Sequence, residues 1–178
     1  MGSLLVITGP PGSGKTSIAG LLSQEFERSV VVEGDAFFRF LARGSIPPWL
    51  PASHVQNDVV ISASAAAASE FVSGRYFTIY EGIVGPWYLE TFAELVGLEE
   101  FDYVVLMPSE DVCLARIANR GASANIGVKA AQHMYREFAS SPTATHHVMR
   151  LGSESKEEVK NQVLAGMRVG KFRFQVTD

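Results

Sequence analysis

Eight consecutive residues near the amino end, Gly9-Pro10-Pro11-Gly12-Ser13-Gly14-Lys15-Thr16, combine the three residue types that phosphate chemistry needs: glycines, a lysine and a hydroxyl. They match G-x-x-x-x-G-K-[ST] in full, between an apolar run and a segment of helical periodicity. Glycines let the backbone curl until successive N–H groups from Gly12 to Thr16 point at phosphate oxygens, reinforced by the positive end of the helix that follows. Pro10 and Pro11 carry no N–H and stiffen the rising side of the loop, where no donor is needed. Gly9, Gly12, Ser13 and Gly14 would then cradle the phosphates, with Lys15 on the β- and γ-phosphates and the Thr16 hydroxyl on Mg²⁺.

Such a loop works only on a rigid frame, and the hydropathy pattern supplies one. Leu4, Leu5, Val6 and Ile7 read as a strand buried on both faces. Ile18, Leu21, Leu22 and Phe26 recur at helical spacing after Lys15. Val30, Val31 and Val32 form a second strand, followed by Glu33-Gly34-Asp35 and a helix over residues 36–43 that ends near Gly44. Residues 45–53, with three prolines, form a loop, and a long helix runs from near Ser53 to Ser73, closed by Gly74. A third strand over residues 76–80 ends in Glu81-Gly82, and a fourth covers residues 103–107. Pro108-Ser109-Glu110-Asp111 opens a helix that carries Cys113, a core residue, and reaches Arg120-Gly121. A further helix has Val128, Ala131, Tyr135 and Phe138 on one face, and a short strand spans residues 146–151. On that strand the adjacent His146 and His147 point to opposite sides and cannot chelate one ion together. Ser155-Lys156-Glu157-Glu158 has capping-box spacing and opens the last helix. Five strands alternating with helices predict an α/β, three-layer fold with a mostly parallel sheet, where ligands bind beyond the carboxyl ends of the strands. Gly9, Asp35, Glu81 and the Ser109 turn all follow such ends.

On these residues the chain resembles the small P-loop kinases, the group that holds nucleoside monophosphate, gluconate and shikimate kinases, adenylylsulfate kinase and chloramphenicol phosphotransferase. The likeness rests on the phosphate loop, on Glu33-Gly34-Asp35, and on Val104-Val105-Leu106 leading through a helix to Leu114-Ala115-Arg116-Ile117-Ala118-Asn119-Arg120-Gly121. It spans nearly the whole chain. The segment from Gly44 to Asn57 looks like a feature of a little-characterised bacterial branch, sometimes called cytidylate-kinase-like. The resemblance implies a single P-loop kinase domain over residues 1–178, a five-stranded parallel sheet in the order 2-3-1-4-5, an acceptor-side insertion near residues 36–74 and a short lid near residues 120–128. It also implies ATP and Mg²⁺ as cofactors and a small-molecule acceptor. Nucleoside monophosphate phosphorylation is the alternative within the fold, and a nucleotide-binding switch with little turnover is an alternative of another class.

The same resemblance assigns roles. Asp35 takes the place of the catalytic base facing an acceptor hydroxyl, although it is equally placed to cap the helix after it. Arg39, with Arg43 four residues on, would grip an acceptor phosphate or carboxylate, or else pair with Asp35 on a solvated face. Glu81 would orient Mg²⁺ through water or touch the acceptor, against the plainer reading of a helix-start carboxylate. Trp49, His54 and Asn57, with Gln56 and Trp87, suit hydrogen bonding and stacking on a polar ligand, or simple loop packing. Arg116 and Arg120, also four apart, would neutralise charge on the transferred phosphoryl group, or line a solvated helix face. Arg136 is a substitute for the charge missing from the lid, and adenine would lie between the Arg116–Arg120 helix and residues 152–155.

Composition narrows the classes further. Of the 178 residues, 47% are hydrophobic and 19% charged, which excludes a disordered tail, a coiled coil and a charged scaffold. Fifteen Lys and Arg against nineteen Asp and Glu give a net charge of −4, unsuited to holding nucleic acid by counterion release. The single cysteine permits no intrachain disulfide and fits a reduced cytoplasm. The residues before Gly9 lack a targeting pattern, and the longest apolar stretch, residues 59–68, is interrupted by Ser62 and Ser64 and falls short of the ~20 residues that span a bilayer. No Asn-Lys-x-Asp segment is present to read guanine, and the length leaves no room for the extra domain of a ring ATPase. A monomer and a homodimer both remain open.

Overall fold

In the computed structural model, which describes residues 2–120 and 126–176 (Arg120 by its backbone only), the phosphate loop joins the centre of a sheet to the helix packed on it. The strands are β1 (Ser3–Thr8), β2 (Ser29–Glu33), β3 (Phe77–Glu81), β4 (Glu100–Pro108), β5 (Val148–Leu151) and β6 (Arg173–Gln175). The helices are α1 (Lys15–Ser23), α2 (His54–Ser73), α3 (Leu89–Val96), α4 (Glu110–Arg120), α5 (Val128–Ser140) and α6 (Lys156–Arg168). Five strands run parallel in the order β2-β3-β1-β4-β5, as expected. The expected five-strand total needs correction, because β6 adds antiparallel to the start of β4. Asp102 is opposite Leu5 of β1 on one edge and Arg173 of β6 on the other, so β6 extends the edge that β5 occupies further along.

Side-chain alternation divides the interior in two. Leu5, Ile7, Ile79, Val104 and Leu106 face Ile18 and Leu22 of α1 and Val159 and Val163 of α6. Leu4, Val6, Tyr80, Tyr103 and Val105 face Ile61, Ala65 and Ala68 of α2, Phe92 of α3 and Phe138 of α5. The central strands are therefore mostly apolar on both faces, the mark of a parallel sheet covered on both sides. Phe92 and Tyr103 are completely enclosed, each removing an aromatic ring from water at a gain of about 2 kcal/mol.

Three local expectations change. Residues 36–43 do not form an α-helix; a 3₁₀ helix spans Gly34–Phe40. Its three-residue turn brings the Phe37 and Phe40 rings together at a tilt, with centroids 5.2 Å apart, and the helix ends at Phe40, so Arg39 and Arg43 share no helical face. His146 and His147 lie in a 3₁₀ turn, Thr145–His147, before β5. Their rings sit 4.0 Å apart rather than on opposite sides of a strand. The sequence reading also passed over α3, which buries Leu89, Phe92, Ala93 and Val96 on one side. The long helix closed by Gly74 and the capping box at Ser155 are as expected. Among the described residues, no helix is long and apolar enough to cross a membrane.

Candidate active site

Strand register brings the chemistry together. Ile7 pairs with Glu81 and Glu81 with Glu33, so the loop after β1, the turn after β2 and the turn after β3 emerge side by side. Gly9 and Gly12 have φ of +143° and +84°. A Cβ at Gly9 would lie 2.3 Å from the Leu106 carbonyl oxygen, and one at Gly12 would lie 2.4 Å from that of Cys113. Both positions combine a left-handed backbone with contact against a neighbouring main chain, which leaves glycine as the residue that fits.

The Lys15 ammonium is buried and donates to the carbonyl oxygens of Gly9 at 3.0 Å and Pro10 at 3.5 Å. Ser13 N–H turns inward to Pro10 O at 3.1 Å, while the Ser13 hydroxyl is buried and has no hydrogen-bond partner among the described residues. From the other side, Arg116 Nη1 of α4 donates to Gly12 O at 3.0 Å and reaches Ser13 O at 3.5 Å. Cys113, one turn earlier on α4, is enclosed; burial pushes its thiol up to about 11, so it is inert and serves the core.

Thr16 lies in the first turn of α1, and its hydroxyl donates to Glu81 Oε1 at 3.1 Å. Glu81 is only 4% exposed. Burial pushes its carboxyl above the ordinary range; the Lys15 ammonium pulls it back, Asp35 adds to the rise, and the Thr16 hydrogen bond lowers it. Asp35 is exposed in the turn after β2, and its Oδ1 accepts a hydrogen bond from Ile83 N–H at 3.3 Å. It does not cap the 3₁₀ helix, whose first turn contains it and whose N-cap is Glu33. Gly34, beside it, lies against the Tyr80 phenol, which is hydrogen-bonded at 2.9 Å to Ser64 of α2.

The other residues singled out in the sequence lie elsewhere. Arg39 extends to Glu33, 3.8 Å away on an exposed face. Asn57 donates to Pro48 O at 2.8 Å and to Ser53 Oγ at 3.1 Å, and Gln56 bonds both the N–H and the carbonyl of Ile46 at 2.7 Å, so these two amides fasten the proline loop to α2. Trp49 is half-buried in that loop, and His54 is exposed where α2 begins. The Arg120 side chain and residues 121–125, most of the expected lid, lie outside the described residues.

In the segment after β3, sequence reasoning singled out Trp87 but missed the contacts of Ile83 and Tyr88. Ile83 N–H binds Asp35, the Tyr88 hydroxyl donates to Asp58 of α2, and Trp87 packs at a tilt against Phe138 of α5 with ring centroids 5.0 Å apart. One short stretch thus touches the turn after β2, α2 and α5. Its signal was faint: Gly85-Pro86-Trp87-Tyr88 marks a turn, and no pattern tells which elements the turn will meet.

The profile of the family described as AAA domain matches residues 5–134, from β1 into α5. The chain belongs to the AAA domain family. Its fold is that of P-loop kinases. The tunicamycin resistance protein of Deinococcus radiodurans is 18% identical, with 96% of each chain covered and a TM-score of 0.69. A sugar kinase from Janibacter is 19% identical, over 96% of this chain and 97% of that one, with a TM-score of 0.73. A gluconokinase from Sinorhizobium meliloti is 21% identical, over 94% and 92%, with a TM-score of 0.63. At these identities the likeness concerns the fold alone. None of the curated proteins matches the chain significantly.

Proposed function

We propose that this family member is an ATP- and Mg²⁺-dependent phosphotransferase that moves a γ-phosphoryl group to the hydroxyl of a small molecule, with Asp35 as the base. One observation carries the reading: Lys15, Thr16, Glu81 and Asp35 stand in a row across the carboxyl ends of β1, β3 and β2. The residues fit the groups the fold implies. Gly9 and Gly12 form a cradle that any side chain would fill, the buried Ser13 hydroxyl lacks a partner among the described residues, and Thr16 with Glu81 offers the hard oxygens that magnesium takes.

Bound Mg·ATP supplies an activated phosphoryl group whose transfer depends on positioning and charge neutralisation. Lys15 exchanges its hold on Gly9 O and Pro10 O for the phosphates, moving a buried cation a short way within the same loop. Thr16 and Glu81 would hold the magnesium ion, which would neutralise charge on the phosphates. Asp35 is anchored through Oδ1 by Ile83 N–H, which leaves Oδ2 for the acceptor hydroxyl and its proton. A hydroxyl acceptor is favoured over a phosphate one because the charged group beside the loop on this side is a carboxylate, while Arg39 is engaged with Glu33.

Calorimetry with Mg·ATP and acceptor-dependent ADP release over nucleoside phosphates, sugars and aminocyclitols test the reading together. Lys15→Ala should abolish measurable binding. Asp35→Asn should bind Mg·ATP as the wild type does and lose about 10²–10⁴ in turnover, the range a general base contributes. Wild-type protein that binds no Mg·ATP would refute the nucleotide assignment; normal turnover by Asp35→Asn would refute the base. Binding without turnover on any acceptor would favour the switch instead.

A further inference from the structure

We propose that Arg116 is a positioning residue that holds the phosphate loop by its carbonyl oxygens and makes α4 and the loop one mechanical unit. The inference rests on the nucleotide site proposed above, but it concerns how the loop keeps its shape rather than what the loop binds.

A loop that turns several N–H groups toward an anion must turn carbonyl oxygens elsewhere, and buried carbonyls need partners. Two cations divide that work. Lys15 takes Gly9 O and Pro10 O, and Arg116 takes Gly12 O and Ser13 O. The two hold the loop differently. Lys15 belongs to α1 and, in the proposed reaction, releases its carbonyls to reach the phosphates. Arg116 comes from α4, 104 residues away in sequence. Its planar guanidinium suits adjacent carbonyls, and it stays in place when Lys15 moves.

Packing reinforces the grip. Gly12 lies directly on the Cys113 backbone, and Cys113 and Arg116 are three apart on α4 and so share a face. Gly14 passes beneath the same guanidinium, with Arg116 Nη1 3.8 Å from where its Cβ would be. α4 thus touches the loop's outer turn through backbone at one point and through a charged side chain a turn later. A guanidinium that holds the loop supports ATP and ADP alike, whereas one that serves the γ-phosphate favours ATP, and that difference can be measured.

The experiment uses full-length wild type, Arg116→Gln and Arg116→Lys. Arg116 is exposed apart from its tip, so folding should survive both changes. Amide exchange followed by mass spectrometry on nucleotide-free protein should show exchange across residues 12–16 accelerated about tenfold in Arg116→Gln, with Arg116→Lys in between. Calorimetry with Mg·ATP and Mg·ADP should show both affinities weakened by the same factor, about tenfold in Arg116→Gln, because a slack loop misplaces amides that serve both nucleotides. Unchanged exchange in the loop would overturn the proposal. So would weakened ATP binding with ADP binding intact, which would place the guanidinium on the γ-phosphate. Wild-type protein that bound neither nucleotide would defeat the proposed function, while the exchange measurement would still decide whether Arg116 holds the loop.

Discussion

Replacing Gly12 with alanine tests whether the loop is shaped by contact with α4. The added Cβ would sit 2.4 Å from Cys113 O and 3.0 Å from its Cα, where ordinary contacts begin at 3.4 Å, so main chain must retreat from main chain by about 1 Å. The φ of +84° adds about 1–2 kcal/mol of left-handed strain for a residue with a Cβ. Overpacking adds a similar amount, about 3 kcal/mol in all, or a fall of about 10 °C in melting temperature for a chain of this size. A loop displaced by 1 Å should also lower kcat/KM for the nucleotide about 10²-fold. Gly44→Ala is the control: its φ is +72°, but nothing lies within 4 Å of the new Cβ, so it carries strain alone, about 3 °C, with kinetics unchanged. Differential scanning calorimetry and steady-state kinetics on both variants decide the matter. Equal melting shifts, with nucleotide kinetics intact in Gly12→Ala, would show that α4 does not shape the loop.

The buried Glu81 carboxyl has its folded pKa raised above 4.5, so the stability it contributes is present below that value and is lost as pH rises through the folded pKa. Glu81→Gln should therefore melt higher than wild type at neutral pH without nucleotide, yet lose magnesium-dependent binding; a lower melting temperature would contradict the burial argument. His147 is depressed below 6.5, chiefly by burial and then by His146, against the hydrogen bonds its ring makes to the backbone of Tyr103 and Phe172. Its contribution is present above 6.5 and is lost as pH falls through the folded value, so His147→Asn should flatten the acid side of the melting-temperature profile. Ser155 Oγ accepts from Glu158 N–H at 3.2 Å, and Ser155→Ala should cost about 1 kcal/mol, seen as a fall of about 2–4 °C with kinetics untouched.

What could be read without a structure followed the strength of local physics. The phosphate loop was legible because its residue types and its strand–loop–helix setting are dictated by the same anion chemistry. The α2 boundaries were legible because Pro51 and Gly74 punctuate them. β6 was not, since its three residues, Arg173-Phe174-Gln175, acquire strand geometry only by pairing with Glu100, Phe101 and Asp102, far away in sequence. The 3₁₀ turn over Gly34–Phe40 was misread as an α-helix because Phe37, Phe38, Phe40 and Leu41 satisfy either period over so short a span. Asn57 and Gln56 looked like ligand contacts because a polar side chain beside a proline loop has the same composition whether it binds a ligand or the loop's own carbonyls. Only geometry shows that Pro48 and Ile46 are their partners.

The candidate site depends on strand parity more than on any single residue. Glu81 shares its face of β3 with Ile79, which packs toward α1, so its carboxyl meets Thr16 in the first turn of that helix. Tyr80 points the other way, toward α2, and its phenol ends on Ser64. A slip of one residue in the pairing of β3 with β1 would exchange them. It would place a phenol beneath Thr16 and leave a carboxylate among Phe92, Val84 and Val6, where burial without a donor is costly. The register Ile7 to Glu81 is thus held by the core on both faces. The same alternation that fills both faces of the central strands places one acid at the carboxyl end of the sheet, on the side where the phosphate loop and the first turn of α1 lie.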